Sequence, residues 1–206
     1  MDHTENWLEW AVELQSLAQA GLAYVRDDFD RERYTRIREI AAEILAHKSD
    51  IPVKKVQELF CDEIGYQTPK LDTRAAIVEN GKILLVREKN GTWALPGGWV
   101  DMRVSVKENV VKEALEEAGL TVTADRVIAI QDRAKHNPPV YAHSITVVFV
   151  LCTRLEGHFV ENIETTTSAW FGPEALPPLA LEKNTPEQIE MCIAAATKEN
   201  WKTLFD

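Results

Sequence analysis

Gly97-Gly98-Trp99-Val100-Asp101-Met102-Arg103-Val104-Ser105, running on through Lys112-Glu113-Ala114-Leu115-Glu116-Glu117-Ala118-Gly119-Leu120, is the stretch that decides the reading of this 206-residue chain. It opens as a glycine-rich loop after Leu95-Pro96 and then turns helical. Ser105 and Glu108 have capping-box spacing, which fixes the helix start, and Gly119 marks its stop. Between them Val106, Val110, Val111, Ala114 and Leu115 form an apolar stripe. Glu113, Glu116 and Glu117 stand at i, i+3 and i+4, so they share one helix face. Three adjacent like charges destabilise a bare helix. A divalent cation removes that penalty, and hard oxygen ligands suit Mg²⁺ or Mn²⁺. On spacing alone the competing reading is a solvated acidic face. The glycine loop tips the balance, because it brings backbone N–H groups and the positive end of the helix dipole to the same place.

Upstream, residues 75–79 and 83–87 are strand-like runs joined by Asn80-Gly81, a strong hairpin signal. Downstream, residues 122–130, 144–152 and 168–171 are further strand candidates. Thr185-Pro186-Glu187-Gln188 has capping spacing with proline at the first helical position, and it opens a last helix carrying Ile189, Cys192, Ile193 and Ala196. The first third is helical. Trp7, Trp10, Ala11, Leu14, Leu17 and Ala18 recur at helical spacing, with Gly21 as the expected stop. Tyr34, Ile37, Ile40, Ala41, Ile44 and Leu45 repeat the pattern. A third, shorter helix is expected from about Asp50-Ile51-Pro52. Gly65-Tyr66-Gln67-Thr68-Pro69 reads as a linker. The order predicts a helical region at residues 1–66 and an α/β domain with a mixed sheet at residues 70–206.

The stretch 98–120 resembles the signature box of the Nudix hydrolases: Gly, five residues, Glu, seven residues, Arg-Glu, apolar, any, Glu-Glu, any, Gly, apolar. Gly98, Glu113, Ala114, Glu116, Glu117, Gly119 and Leu120 match it. Val104 stands where the first Glu belongs, Lys112 replaces the Arg, and Arg103 sits where glycine is expected. The resemblance implies an α/β/α sandwich and metal-dependent cleavage of a pyrophosphate link. In the family the first Glu and the Arg brace the loop against the helix. Here both charges change together, and Lys112 is expected to pair with Glu108 instead. A subgroup with an N-terminal helical segment is more similar still. It carries lysine in the box and an Asp-Arg-x-Lys-His-Asn stretch, here Asp132-Arg133-Ala134-Lys135-His136-Asn137 before Pro138-Pro139. Members are associated with CDP-choline, and some are labelled ADP-ribose pyrophosphatases.

Composition sets the limits. Hydrophobic residues make up 45% of the chain, enough for a real core, and the formal net charge is −10, from 33 acidic and 23 basic residues. That balance disfavours binding to nucleic acid or anionic membranes. It permits a small anionic substrate, because a bound cation inverts the local field. Cys61, Cys152 and Cys192 are far apart and read as idle reduced thiols. An acidic start and no long apolar run lead us to expect a soluble, cytoplasmic protein without a signal peptide.

The expected metal ligands are Glu113, Glu116 and Glu117, and the base is one of these or Glu164. Arg74 and Arg87 are candidate phosphate holders, with structural salt bridges an equally good account. Gly97 and Gly98 are expected to line the substrate, and His136 to touch it from a polar loop. His143 and the tryptophans Trp7 and Trp10 are expected to be structural or, for the tryptophans, dimer anchors. The expected protein is thus a Mg²⁺-dependent pyrophosphohydrolase acting on a nucleoside diphosphate derivative, and a homodimer. A Nudix-fold nucleotide-binding regulator that has lost turnover is the alternative, and Val104 is its best support.

Overall fold

The computed structural model describes residues 6–49, 51–61, 65–139, 141 and 144–206. His143, Asp50 and the first five residues lie outside them. The chain divides into two compact units, Met1–Pro69 and Lys70–Asp206.

The first unit is helical: α1 (Asn6–Tyr24), α2 (Asp28–Ser49) and α3 (Val53–Phe60). Its interior uses small side chains at helical spacing, with Ala11 and Ala18 on α1 and Ala41, Ala42, Leu45 and Ala46 on α2 all buried. Gly21 does not end α1, which continues to Tyr24. A side chain there would stand 2.5 Å from the Tyr34 ring, so this glycine is a point of close approach between α1 and α2. Buried Gln15 and Gln19 bond each other at 2.9 Å and donate to the carbonyls of Phe60 and Gly65, which satisfies them and ties α1 to the end of the unit. Trp10, Leu17, Tyr24 and Phe29 remain exposed.

The second unit is an α/β/α sandwich, as the resemblance implies. Its elements are β1 (Lys70–Glu79), β2 (Lys82–Glu88), β3 (Trp93–Ala94), α4 (Val106–Ala118), β4 (Leu120–Asp132), α5 (Arg133–His136), β5 (Ile145–Gly157), β6 (Thr165–Phe171), α6 (Pro186–Thr197) and β7 (Leu204–Phe205). The strand order is β3-β2-β1-β5-β4-β7, with β6 against β2. The sheet is mixed, because β1 runs parallel to β5 and antiparallel to β2. Strand alternation divides the core in two. Ala75, Ile77, Leu84 and Val86 pack with Val110, Ala114 and Ala118 of α4. Ala76, Ile83 and Leu85 pack with Ile189, Cys192 and Ala195 of α6. Cys152 and Cys192 are buried free thiols.

Both capping boxes form, at Ser105–Glu108 and at Thr185–Gln188. The hairpin turn has positive φ at both Asn80 and Gly81, as a two-residue turn of the primed kind requires. Residues 133–136, read as loop, form a single helical turn capped by the Asp132 side chain. Among the described residues no helix is long and apolar enough to cross a membrane.

The site owes its position to a split in this sheet. β1 and β2 pair only at their hairpin end, Val78 with Ile83 and Glu79 with Lys82. Further along β1 its free edge accepts the glycine loop instead. Ala75 N–H donates to Pro96 O, Thr73 N–H to Gly98 O, and Val100 N–H to Leu71 O. The loop therefore replaces a strand and satisfies β1's backbone.

Candidate active site

Gly97 lies so close to β1 that a side chain there would fall 1.9 Å from Thr73 O, and its φ of +153° is one that other residues rarely adopt. Four side chains clamp the loop from three directions. Glu117 of α4 accepts from Gly97 N–H at 2.8 Å, and Arg74 of β1 donates to Gly97 O at 2.8 Å. Asn109 of α4 donates to Thr73 Oγ1 and Gly98 O, and Asn184 accepts from Leu95 N–H at 2.8 Å. Arg74 is buried and forked onto Asp72, two residues away on the same face of β1, through bonds of 2.8 and 2.9 Å. Burial opposes its charge, but Asp72 outweighs that penalty and keeps the guanidinium ionised. Arg74 thus lines the site with its Nε and Nη2 engaged on Asp72 and its Nη1 on the loop.

A cavity of about 430 Å³ opens over this loop, within the range of small-ligand sites. Glu113, Glu116, Glu117 and Glu164 all line it, together with Arg74, Gly97 and Gly98. The structure therefore brings together all but two of the expected site residues. Glu164 arrives from the far end of the chain by way of Asn162. The Asn162 amide donates to the Glu116 carbonyl at 3.0 Å, and its carbonyl oxygen accepts from Glu164 N–H at 2.9 Å. Thr165 Oγ1 adds a bond to Glu117 O at 2.7 Å. These contacts fasten the Glu164 turn to the C-terminal end of α4.

Three expectations are corrected. Arg87 is exposed, points its Nε toward Gly91 O at 3.5 Å, and does not line this cavity. His136 bonds the Asp206 carboxylate at 2.6 Å, beside β7, and faces a separate hollow with Gln131 and Met191. The useful member of its stretch is its neighbour Arg133. That side chain is buried, donates to Glu182 O and Pro139 O, lies 3.5 Å from the Tyr141 ring centre, and lines the cavity. Lys112 does not pair with Glu108, whose carboxylate is spent on the Ser105 cap. It lies 3.1 Å from Asp101, 3.6 Å from Glu113 and 3.5 Å from Glu116. Its hydrogen bond to Asp101 pushes the ammonium up to about 12. Val104 is half-buried, and the turn before it is closed by its N–H on Asp101 O, with Arg103 at a φ of +68°. A non-glycine residue in that conformation costs roughly 1–2 kcal/mol.

Glu113 and Glu117 are 8% and 7% exposed, and each feels the other's charge. Burial raises Glu117 to about 7, against the lowering effect of the Gly97 N–H, Arg74 and Lys183. Burial likewise raises Glu113, with Lys112 opposing and Glu116 and Glu164 reinforcing. Among the described residues no three carboxylate, histidine or cysteine side chains already converge as a ligand set. The donor chemistry still fits a hard divalent cation. Two penalised carboxylates and two more solvated ones face one cavity, and an ammonium already leans on two of them.

Comparison with known proteins places the fold in a family. Residues 5–60 match the family model described as UDP-X-like, N-terminal oligomerisation domain, and residues 69–192 match the NUDIX domain. The Bacillus subtilis (strain 168) protein YjhB, which carries a provisional ADP-ribose pyrophosphatase name, is 39% identical over 201 residues, covering 97% of each chain. A crystal structure of an ADP-ribose pyrophosphatase from Streptococcus suis 89-1591 superposes with a TM-score of 0.64 at 55% identity, covering 68% of this chain and 100% of that one. A crystal structure of UDP-X diphosphatase covers 98% of this chain and 99% of its own, at 32% identity and a TM-score of 0.62. The chain belongs to the Nudix hydrolases, as a pyrophosphohydrolase with a UDP-X-like N-terminal domain.

Proposed function

We propose that this enzyme hydrolyses the pyrophosphate bond of a small nucleoside diphosphate derivative of the ADP-ribose or CDP-choline type, with Mg²⁺ or Mn²⁺ as cofactor. The observation that carries the reading is the convergence of Glu113, Glu116, Glu117 and Glu164 on one cavity above a clamped Gly97-Gly98 loop. Hydrolysis adds a water oxygen to one phosphorus and breaks that atom's bond to the bridging oxygen. Glu113, Glu116 and Glu117 would hold the metal, which supplies charge neutralisation and a lowered water pKa. Glu164, exposed and free of ion pairs in the described contacts, is suited to take the proton. The loop residues Gly97 and Gly98 offer close backbone approach to a phosphate, and Arg74 keeps them in place. Relatives carrying ADP-ribose pyrophosphatase names support the ADP-ribose member of the class. Metal-dependent release of monophosphates from a panel of nucleoside diphosphate sugars and alcohols tests the reading. No turnover on any of them overturns it.

The second reading, a regulator that binds nucleotides without cleaving them, rests on Val104. Expected results for Val104→Glu separate the two. In a working enzyme the variant gains no activity and loses the burial of a half-covered valine, about 1 kcal/mol, for a melting point lower by roughly 2–4 °C. In a silenced one, activity appears only when the acid is restored.

Residues 1–66 we propose to be the homodimer contact. Trp10, Leu17, Tyr24 and Phe29 leave apolar surface exposed on this unit, and the matching family model is described as an oligomerisation domain. Sedimentation of the full chain at micromolar concentration is expected to give a dimer. A monomer there contradicts the assignment.

A further inference from the structure

Lys112 is placed to do harm. Its ammonium lies 3.6 Å from Glu113 and 3.5 Å from Glu116, two of the carboxylates proposed above to hold the metal. A lysine is a compact point charge on a flexible stem with three donors. If it settled fully on those oxygens, it would occupy the lone pairs that a divalent cation needs and repel the cation as well. Its nearest partner, however, is neither glutamate. Asp101, in the glycine loop, stands at 3.1 Å.

The loop fixes Asp101 there by backbone bonds. Val100 N–H is tied to Leu71 O of β1 at 2.9 Å, and Asp101 O accepts from Val104 N–H at 3.1 Å. The turn between them closes through Arg103 in the left-handed region, a conformation that costs free energy and so needs support from its surroundings. Val104 itself offers Lys112 no charge. The loop supplies its acid three residues earlier.

We infer that Asp101 is a positioning residue that draws the Lys112 ammonium off Glu113 and Glu116 and so keeps their oxygens available to the metal. This role rests on the metal reading given above. Asp101 does not itself need to touch the metal or the substrate. It acts through Lys112, and that makes a sharp test possible.

The experiment is Mn²⁺ binding to the intact protein, followed by electron paramagnetic resonance of the free ion, on wild type, D101N, D101E, K112Q and D101N/K112Q. Asp101 is exposed, so D101N is expected to keep the wild-type melting point. It should weaken Mn²⁺ binding about two- to fivefold, the size of effect that an exposed ion pair supplies. D101E, with the same charge one methylene further out, should bind as wild type does. The decisive comparison is the double variant. With no ammonium to restrain, D101N should change nothing in the K112Q background. Equal weakening by D101N in both backgrounds would mean a direct field effect and overturn the role, as would unchanged binding in D101N. Wild-type protein that binds no Mn²⁺ overturns the metal reading, and this role with it.

Discussion

Glu117→Gln and Glu113→Gln are each expected to lower turnover by at least 100-fold while the protein stays folded. The substitution is chosen to remove charge and little else. A glutamine at 117 still presents a carbonyl oxygen to Gly97 N–H, so the 2.8 Å bond that holds the loop to α4 has a substitute acceptor. Asn109, Arg74 and Asn184 continue to clamp the loop from their own sides. What disappears is one of the two carboxylates that α4 buries beneath the cavity. Single preorganised electrostatic groups typically supply on the order of 10²–10³ in rate, because a water-excluded site screens them poorly. Glu113 lies under Gly98 itself, since a side chain at that glycine would meet the Glu113 carboxylate at 3.3 Å. Loss of its charge is therefore felt at the same place. Steady-state kinetics over a Mg²⁺ titration decide the matter. Near-wild-type rates for both variants, at unchanged metal requirement, would sink the assignment of this face as the metal site.

How much of this was open to reading depended on how far apart in the chain the deciding contacts lie. Helix α4 with its Ser105–Glu108 box, the Asn80-Gly81 turn and the Thr185 cap are local events, and each declares itself within a few residues. The carboxylate face follows from helical geometry alone. The clamp is another matter. Asn184 meets Leu95 across 89 positions, and Asn162 meets Glu116 across 46, so nothing in either neighbourhood announces them. β7 is two residues long and exists only because β4 offers it an edge. Gly21 looks like a helix stop to any local rule, while its real constraint is the Tyr34 ring on another helix. His136 and Arg133 differ by three positions on one short helical turn, and only the fold tells which of them is turned into the cavity. One signal could have been used. Asp72-x-Arg74 on a strand places acid and base on the same face, and a buried arginine with a partner at i−2 is a brace before it is a phosphate clamp.

In the metal-free protein, made by treatment with chelator, stability is expected to fall as pH rises from 4.5 to 7.5. The direction comes from Glu117, which burial raises from 4.5 to about 7 in the folded state. The sign follows from linkage. Between those two values the folded state holds a proton that the unfolded chain has released, so raising the pH favours unfolding, and the loss is complete once pH exceeds the folded value. At about 1.4 kcal/mol per pH unit, that span corresponds to about 3 kcal/mol. For a chain of this size it lowers the melting point by roughly 6–12 °C. Glu113 moves in the same direction and adds to the slope. Two further measurements separate this cause from general acid–base effects. Glu117→Gln cannot ionise, so its metal-free melting curve should be much flatter over the same pH range and higher than wild type at pH 7.5. Saturating Mg²⁺ should flatten the wild-type curve as well, because a cation that prefers the ionised carboxylates replaces the missing proton and stabilises the fold by mass action. A variant expected to cost at least 100-fold in activity is thus expected to raise stability, as befits a site that keeps buried carboxylates in place for its metal. A wild-type curve that is flat from pH 5 to 7.5 in chelator would mean that Glu117 is not held in the environment described here.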